Sequence, residues 1–142
     1  MSFIPKQSVL VPLDFSDESM RALDVALTLV RSPRDVRAVH VLQDLSPLEA
    51  GEVWGVIDPQ TRIESARKAL REKLSDAMYA NVQIEVLLGD PAASIANYGT
   101  EAGVELIVLP SHGRTGLTRL LMGSVAERVV RLAHCPVLVL RG

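Results

Sequence analysis

Short apolar runs alternate with longer amphipathic stretches along the chain. Ser8–Val11 and Leu106–Leu109 are compact runs without polar alternation, apart from the leading serine, and turn residues follow both. Runs of this kind are typical of strands buried on both faces of a parallel sheet. We therefore expect these two segments to be its central strands.

Three further segments have strand character. Val36–Leu42 puts its even-numbered residues, including His40, on one face and its odd-numbered residues on the other. Val82–Val86 alternates strictly, which predicts one wet face or a position at the edge of the sheet. Pro136–Leu140 is apolar throughout. The pattern therefore predicts five strands.

The first helix is expected directly after the first strand. Ser16 is placed to cap it, and Asp17 and Glu18 put negative charge in its first turn. Apolar residues then recur at helical spacing as far as Val30. Ser32–Pro33 ends the pattern, because proline disfavours helical backbone in the residue before it.

Three more helices separate the remaining strands. Asp58–Pro59 opens one that runs to about Tyr79, and Gly89–Pro91 opens the next, which runs toward Gly103. Both begin with an aspartate N-cap followed by proline at the first helical position. The last helix opens at Gly123–Ser124, where the serine is a candidate cap.

Strands that alternate with helices predict an open five-stranded parallel α/β sheet, Rossmann-like, with helices on both faces, in one domain over residues 1–142. Such sheets bind ligands beyond the carboxyl ends of the central strands. Here those ends are Pro12–Asp14 and Pro110–Gly113. Although far apart in sequence, they are expected to converge on one crevice.

Composition narrows the classes of function. The formal net charge is -2 and the chain has no basic stripe, so electrostatics do not indicate a nucleic-acid partner. No signal peptide is visible, and no apolar run approaches the roughly 20 residues of a membrane helix. The single cysteine, Cys135, suits a reducing compartment. These features predict a cytoplasmic protein without a membrane partner.

The segment after the fourth strand has the chemistry of an anion site. Gly113, Gly116 and Gly123 let backbone N–H groups crowd together, and the helix start at Ser124 adds further N–H groups. Together they indicate a phosphate cradle, although a loop that merely turns a corner is the alternative. Arg114 is a candidate phosphate clamp, but loop arginines are commonly solvated.

The same segment resembles a known family. Gly113, nine intervening residues and Gly123–Ser124 resemble the second half of the nucleotide-loop signature of the universal stress protein family. Val11–Ser16, Val39–Val41 and Cys135–Val139 are similar to its first, second and closing strands, so the resemblance covers nearly the whole chain. It implies strand order 3-2-1-4-5 and a stress-response regulator or sensor that binds ATP or a related adenine nucleotide.

The resemblance also implies roles for individual residues. Asp14 would hold the adenosine and Val41 the adenine, while Gly113 and Gly123–Val125 would hold the phosphates, with Mg²⁺ or Mn²⁺ able to accompany them. Asp14 could instead cap the first helix. The expected nucleotide-binding residues are Pro12, Leu13, Asp14, Val41, Leu109, Pro110, His112, Gly113, Arg114, Gly123, Ser124 and Val125.

Pro110 departs from the family signature, which has its first glycine at this position. Proline removes an N–H group and adds a ring. If the proline ring closes the pocket, the alternative interpretation is a dimeric interaction protein of the same fold that binds no nucleotide. A nucleotide-handling enzyme is the third, but no Walker lysine follows the glycines and no nucleophile or general base stands out, so at most slow ATP hydrolysis is expected.

Two segments suggest contacts beyond the fold. By the resemblance, Val137–Leu140 would be an edge strand, and it is apolar, which is a hazard that natural proteins cover. The same strand of a second subunit would cover it in a homodimer, and a helix of the same chain is the alternative. Gln43–Asp58 lacks clear periodicity and is interpreted as a flap, contact surface or mobile segment, with Trp54 as its anchor or a dimer contact.

Overall fold

The computed structural model describes residues 2–43, 58–112 and 122–141. Its strands are β1 (Val9–Pro12), β2 (Val36–Leu42), β3 (Gln83–Leu88), β4 (Leu106–Pro110) and β5 (Val137–Leu140). Its α-helices are α1 (Asp17–Leu27), α2 (Pro59–Lys73), α3 (Pro91–Ala102) and α4 (Ser124–Leu132). Single 3-10 turns occupy Pro33–Asp35 and Ala77–Tyr79.

The strands form one parallel sheet in the order β3-β2-β1-β4-β5, which confirms the predicted fold class and strand order. In β1, Val9 pairs with Val36 of β2 on one side and with Leu106 of β4 on the other. The order of the strands reverses between β1 and β4. The carboxyl ends of these two strands therefore flank the position at which open α/β sheets bind ligands.

Two apolar cores cover the two faces of the sheet. On one face α1 buries Leu23 and α2 buries Leu70. On the other face α3 buries Ile95 and α4 buries Val129. Successive residues of β1 belong to different cores, because side chains alternate along a strand. Full burial of each large aliphatic side chain contributes about 1.5–3 kcal/mol, so each helix layer is fixed to the sheet by its core residues.

The helix after Asp58 is shorter than predicted. It ends at Lys73 rather than at about Tyr79, and Leu74 follows with φ -102° and ψ 31°. The Asp76 side chain then accepts a hydrogen bond from the Met78 N–H group at 3.1 Å and caps a separate 3-10 turn. The prediction of one continuous helix was wrong because an aspartate side chain competes with the helix for backbone N–H groups.

Two other boundaries also differ from the prediction. The helix α1 ends at Leu27, where the Thr28 hydroxyl donates to the Val25 carbonyl at 2.6 Å. Val30, which continues the helical spacing, instead forms an isolated bridge with Lys6. The strand β3 extends two residues beyond the predicted end, because it stays paired with β2 as far as Leu88. Tertiary pairing therefore decides both limits.

Residues 44–57, which make up nearly all of the predicted flap and include Trp54, lie outside the described residues. Asp58 is described, and it caps α2 as predicted, since its side chain accepts from the Thr61 N–H group at 2.8 Å. Within the described ranges, the helices lack the combination of length and apolar character needed to cross a membrane.

Candidate functional site

A cavity of about 350 Å³ lies beyond the carboxyl ends of β1, β2 and β4. The first turns of α3 and α4 contribute to its wall, through Pro91 and Ser124 among others. The predicted site residues that line it are Pro12, Leu13, Asp14, Val41, Leu109, Pro110, Gly123, Ser124 and Val125. The two strand ends that the sequence placed in one crevice therefore do lie around one cavity.

Three predicted site residues remain: His112, Gly113 and Arg114. His112 follows β4 after one residue, with Nδ1 3.3 Å from Ser111 Oγ, and is not among the described residues of the cavity wall. Gly113 and Arg114 lie outside the described residues, as does Gly116. Their assignment to phosphate therefore stays a prediction.

Sequence reasoning missed several residues of the wall. Pro91 and Ile95 line it because α3 begins at the carboxyl end of β3, on the same edge of the sheet as the other strand ends. The Gly-Asp-Pro helix start was a usable signal for this position. Ser19 and His40 also line the cavity. No local motif marks Ser19, and the likeness of Val39–Val41 to the family's second strand was used to assign a role to Val41 alone. Gln43, Val39, Ser111 and Ala126 complete the set.

Asp14 lies in the turn between β1 and α1. Its Oδ1 accepts hydrogen bonds from the Ser16 N–H group, at 3.0 Å, and from the Ser16 hydroxyl. Ser16 is the residue that caps α1, since its Oγ accepts from the Ser19 N–H group at 3.1 Å. The alternative in which Asp14 caps the helix was therefore wrong. The carboxylate is left in the wall of the cavity.

His40 lies beneath the same turn. Its Nδ1 is 2.7 Å from the carbonyl oxygen of Leu13, and its ring meets the Phe15 ring edge-on, with centroids 4.8 Å apart. Phe15 has a φ of 68°, in the left-handed region that residues with a Cβ rarely occupy. The turn that presents Asp14 is thus both unusual in backbone conformation and contacted from β2.

The start of α4 faces the cavity without a capping side chain. Gly123, with φ -62° and ψ 155°, is its N-cap, and Ser124 is the first helical residue, so the prediction of Ser124 as the cap was wrong. The Gly123 N–H group donates to the Ser111 carbonyl at 2.6 Å. The N-cap residue itself, a glycine, has no side chain to accept from the N–H groups of the first turn, and the helix dipole adds partial positive charge there. This end of the cavity suits an anion.

Pro110 is the last residue of β4 and part of the cavity wall. The missing N–H group is tolerated because Pro110 is the last residue of the strand. The N–H group of the next residue, Ser111, still donates to the Leu140 carbonyl of β5 at 2.8 Å. The cavity of about 350 Å³ is present with the proline ring as part of its lining.

An ion pair joins the start of α3 to the middle of α4. The Arg128 guanidinium binds both carboxylate oxygens of Asp90, each at 2.9 Å, and Asp90 also caps α3 by accepting from the Ala93 N–H group at 3.0 Å. The hydrogen bond from Arg128, followed by that from Ala93, lowers the pKa of Asp90 below its ordinary value. The planar, bidentate geometry links the middle of α4 to the start of α3.

His134 and Cys135 are not part of the described cavity wall. His134 follows α4, with Nδ1 3.3 Å from the Thr100 hydroxyl. Partial burial raises the pKa of the Cys135 thiol, which therefore stays protonated at neutral pH. Within the described ranges, His, Cys, Asp and Glu side chains form no group of three or more that could hold a metal ion.

Several known proteins are similar to this chain. The model of the universal stress protein family matches residues 6–141. Universal stress protein MJ0531 of Methanocaldococcus jannaschii is 36% identical over 141 residues, which cover 95% of this chain and 82% of the relative. Universal stress protein YxiE of Bacillus subtilis is 33% identical over 144 residues, with 94% and 97% covered.

Solved structures share the fold. The protein MJ0577 of Methanocaldococcus jannaschii matches with a TM-score of 0.74 at 23% identity, over 96% of both chains. A universal stress protein in complex with cAMP gives 0.62 at 20% identity, covering 96% and 97%. One from Archaeoglobus fulgidus in complex with dAMP gives 0.60 at 23%, covering 96% and 98%. Since the family model and both relatives span nearly the whole sequence, the chain belongs to the universal stress protein family.

Proposed function

We propose that this protein binds an adenine nucleotide, ATP in the first instance, in the cavity at the carboxyl ends of β1 and β4, and that it acts in the cytoplasm as a stress-response regulator or sensor. The observation that carries the proposal is the convergence of the Asp14 turn and the uncapped start of α4 on one cavity. A nucleotide needs both a polar group for its nucleoside and an anion site for its phosphates.

The shape and chemistry of the cavity support this ligand. Its volume lies within the roughly 300–1,000 Å³ of small-molecule pockets. Apolar side chains from β2 and β4, such as Val41 and Leu109, suit a flat base. The Asp14 carboxylate can accept hydrogen bonds from a ribose or an amino group. The bound cAMP and dAMP in two structural neighbours support the same class of ligand.

The phosphates are assigned to the start of α4, with Ser124 and Val125 supplying N–H groups. Gly123 contributes a backbone without a side chain, since its own N–H group donates to the Ser111 carbonyl. We further assign Gly113 to them on the family signature alone, and Arg114 as a phosphate clamp because it directly follows Gly113 in the sequence. Mg²⁺ or Mn²⁺ would bind through the phosphates. The Pro110 ring is proposed to pack against the sugar. We expect at most slow hydrolysis, because the groups proposed for this site bind the nucleotide and none is assigned to activating a water molecule.

Calorimetric titration with ATP and MgCl₂ tests the proposal, with Pro110→Gly measured alongside. We expect the parent protein to bind, and Pro110→Gly to bind with a Kd within about threefold of it, because the cavity is open with the ring in place. Binding by the glycine variant alone would favour the second candidate, an interaction protein whose pocket the proline ring closes. Binding by neither protein would reject the assignment of nucleotide to this cavity.

Gly123→Val tests the phosphate end of the site. The φ of -62° is open to any residue, so valine adds branched bulk at the cavity without a strained backbone. We expect a loss of ATP affinity of at least roughly a hundredfold, since a side chain would block approach to the first-turn N–H groups, and a smaller loss in the matched control Gly123→Ala. Circular dichroism should show both variants folded. Parent-like binding by the valine variant would contradict the assignment of the phosphates to the start of α4.

A further inference from the structure

We propose that His40 is the positioning residue of the Asp14 turn. Its imidazole donates a hydrogen bond to the backbone before Asp14, packs against the side chain after it, and so keeps that carboxylate in the wall of the cavity. The inference rests on the proposed function for the identity of the ligand, an adenine nucleotide. The geometry of the turn can be measured without any ligand.

The hydrogen bond on one side of Asp14 defines the tautomer of His40. The carbonyl oxygen of Leu13 can only accept a hydrogen bond, so Nδ1 at 2.7 Å must carry the proton. The Leu13 N–H group donates to the Val39 carbonyl at 2.7 Å. Paired residues of β1 and β2 end at Pro12. Beyond that point, Leu13 stays attached to β2 through one main-chain bond and the His40 side chain.

The contact on the other side of Asp14 involves a strained residue. Phe15, at φ 68°, packs its ring edge-on against the His40 ring, with an interplanar angle of 64°. Strained backbone persists only where the surroundings enforce it, and it is concentrated at ligand sites. His40 therefore contacts the backbone before Asp14 through its hydrogen-bond donor and the side chain after Asp14 through its ring.

The bonds made by Asp14 depend on the same backbone. Its N–H group donates to the Ser19 hydroxyl at 3.3 Å, and its Oδ1 accepts from Ser16. Ser19 is only 1% exposed, and its hydroxyl donates to the Ser16 carbonyl at 2.9 Å. A shift of the turn would break this closed set of bonds. It would move the carboxylate away from the position that the cavity presents.

Two variants separate positioning from packing. His40→Leu keeps a side chain of similar size and removes the donor, whereas His40→Asn places an amide donor near the position of Nδ1 and loses the contact with the Phe15 ring. The Kd for ATP with MgCl₂ should rise roughly tenfold in His40→Leu, because the Leu13 carbonyl loses its partner, and less than about threefold in His40→Asn. The melting temperature should fall at least as far in His40→Asn, which removes more buried volume. The affinity for ATP is thus expected to depend on the hydrogen-bond donor at position 40, and the melting temperature on the side-chain volume there.

Amide hydrogen exchange without nucleotide gives a second readout. The N–H groups of Asp14, Ser16 and Ser19 all donate to side chains within the turn. In His40→Leu they should exchange roughly tenfold faster than in the parent, and in His40→Asn at nearly the parent rate. Should His40→Leu fail to fold, His40→Gln replaces it, because its amide nitrogen corresponds to Nε2 and not to Nδ1.

The outcomes distinguish the two proposals. A parent protein that does not bind ATP contradicts the proposed function, while the exchange rates still decide the role of His40. Parent-like exchange in His40→Leu overturns the positioning role. Equal damage in the leucine and asparagine variants also overturns it, since the ring would then act only as packing.

Discussion

Tyr79 and Asp24 form a hydrogen-bonded pair outside the cavity. The Tyr79 hydroxyl donates a 2.6 Å hydrogen bond to Asp24 Oδ1 and so joins the 3-10 turn before β3 to α1. Partial burial, followed by this hydrogen bond and the negative charges of Asp24 and Asp76, raises the pKa of Tyr79 to about 12. Ionisation of this phenol would place two negative charges side by side.

We predict that Tyr79 titrates well above an ordinary tyrosine. In a Tyr98→Phe background, absorbance at alkaline pH should report a pKa of about 12 for Tyr79, and a lower value after Asp24→Asn. Because the folded pKa exceeds the unfolded pKa of roughly 10, the stabilising contribution is complete below that pH and is lost as the pH rises toward 12. An unchanged titration in Asp24→Asn would contradict this explanation.

Single residues near the cavity divide into those that sequence can place and those that it cannot. Asp14 and Pro110 were predictable because each directly ends an apolar run. The role of Ser124 was misassigned, because the choice between Gly123 and Ser124 as the cap depends on backbone torsions that a dipeptide leaves open. The sequence around His40 does not indicate which groups its side chain contacts. Its contacts arise only when β2 is laid beside β1.

At the scale of elements, α3 shows how a helix end is specified. Gly103 follows it in the left-handed conformation, with φ 66° and ψ 36°, and the Val104 N–H group donates to the Gly99 carbonyl at 3.0 Å. A Cβ added at Gly103 would meet no atom within 4 Å. The cost of a side chain at this position is therefore conformational and not steric.

Gly103→Ala is expected to lower the free energy of unfolding by about 1 kcal/mol, and Gly103→Asn by less, because asparagine tolerates the left-handed region. Urea unfolding should show a lower midpoint with an unchanged slope. Gly99→Ala is the comparison within the same helix. The cost of a side chain there is steric, since its Cβ would lie 3.2 Å from Val104 Cγ2 in a buried contact. A Gly103→Ala variant as stable as the parent would show that the left-handed cap is not required.

At the scale of the whole molecule, β5 is the edge strand beside β4. Val108 of β4 pairs with Leu138, which is 37% exposed, and the strand is apolar over its full length. We propose, as the composition of this strand suggests, that the same strand of a second copy covers it in a homodimer with two-fold symmetry.

Sedimentation tests the homodimer. We expect a dimer at micromolar concentration and a shift toward monomer in Leu138→Lys, because a charged side chain at the edge strand opposes pairing. Met78→Lys is the matched control, since Met78 is also a half-exposed apolar residue but precedes β3 at the opposite edge of the sheet. A monomeric parent protein would end the proposal, and a dimeric Leu138→Lys would place the interface elsewhere.

The sequence by itself determined the class of fold and the edge of the sheet at which the cavity lies. Hydrophobic periodicity, proline and aspartate helix starts and the apolar runs at β1 and β4 are local properties, and buried parallel strands impose them directly. The positions of Asp14 and Pro110 follow from the same signals, since each closes such a run.

Only the tertiary structure decided which groups meet. The Asp90–Arg128 pair, the bond from His40 to Leu13 and the inclusion of Ile95 in the cavity wall all join segments that are distant in the chain. The physical reason is the same in each case. Periodicity reports which residues are buried, whereas hydrogen-bond partners are selected by the register in which the strands and helices pack.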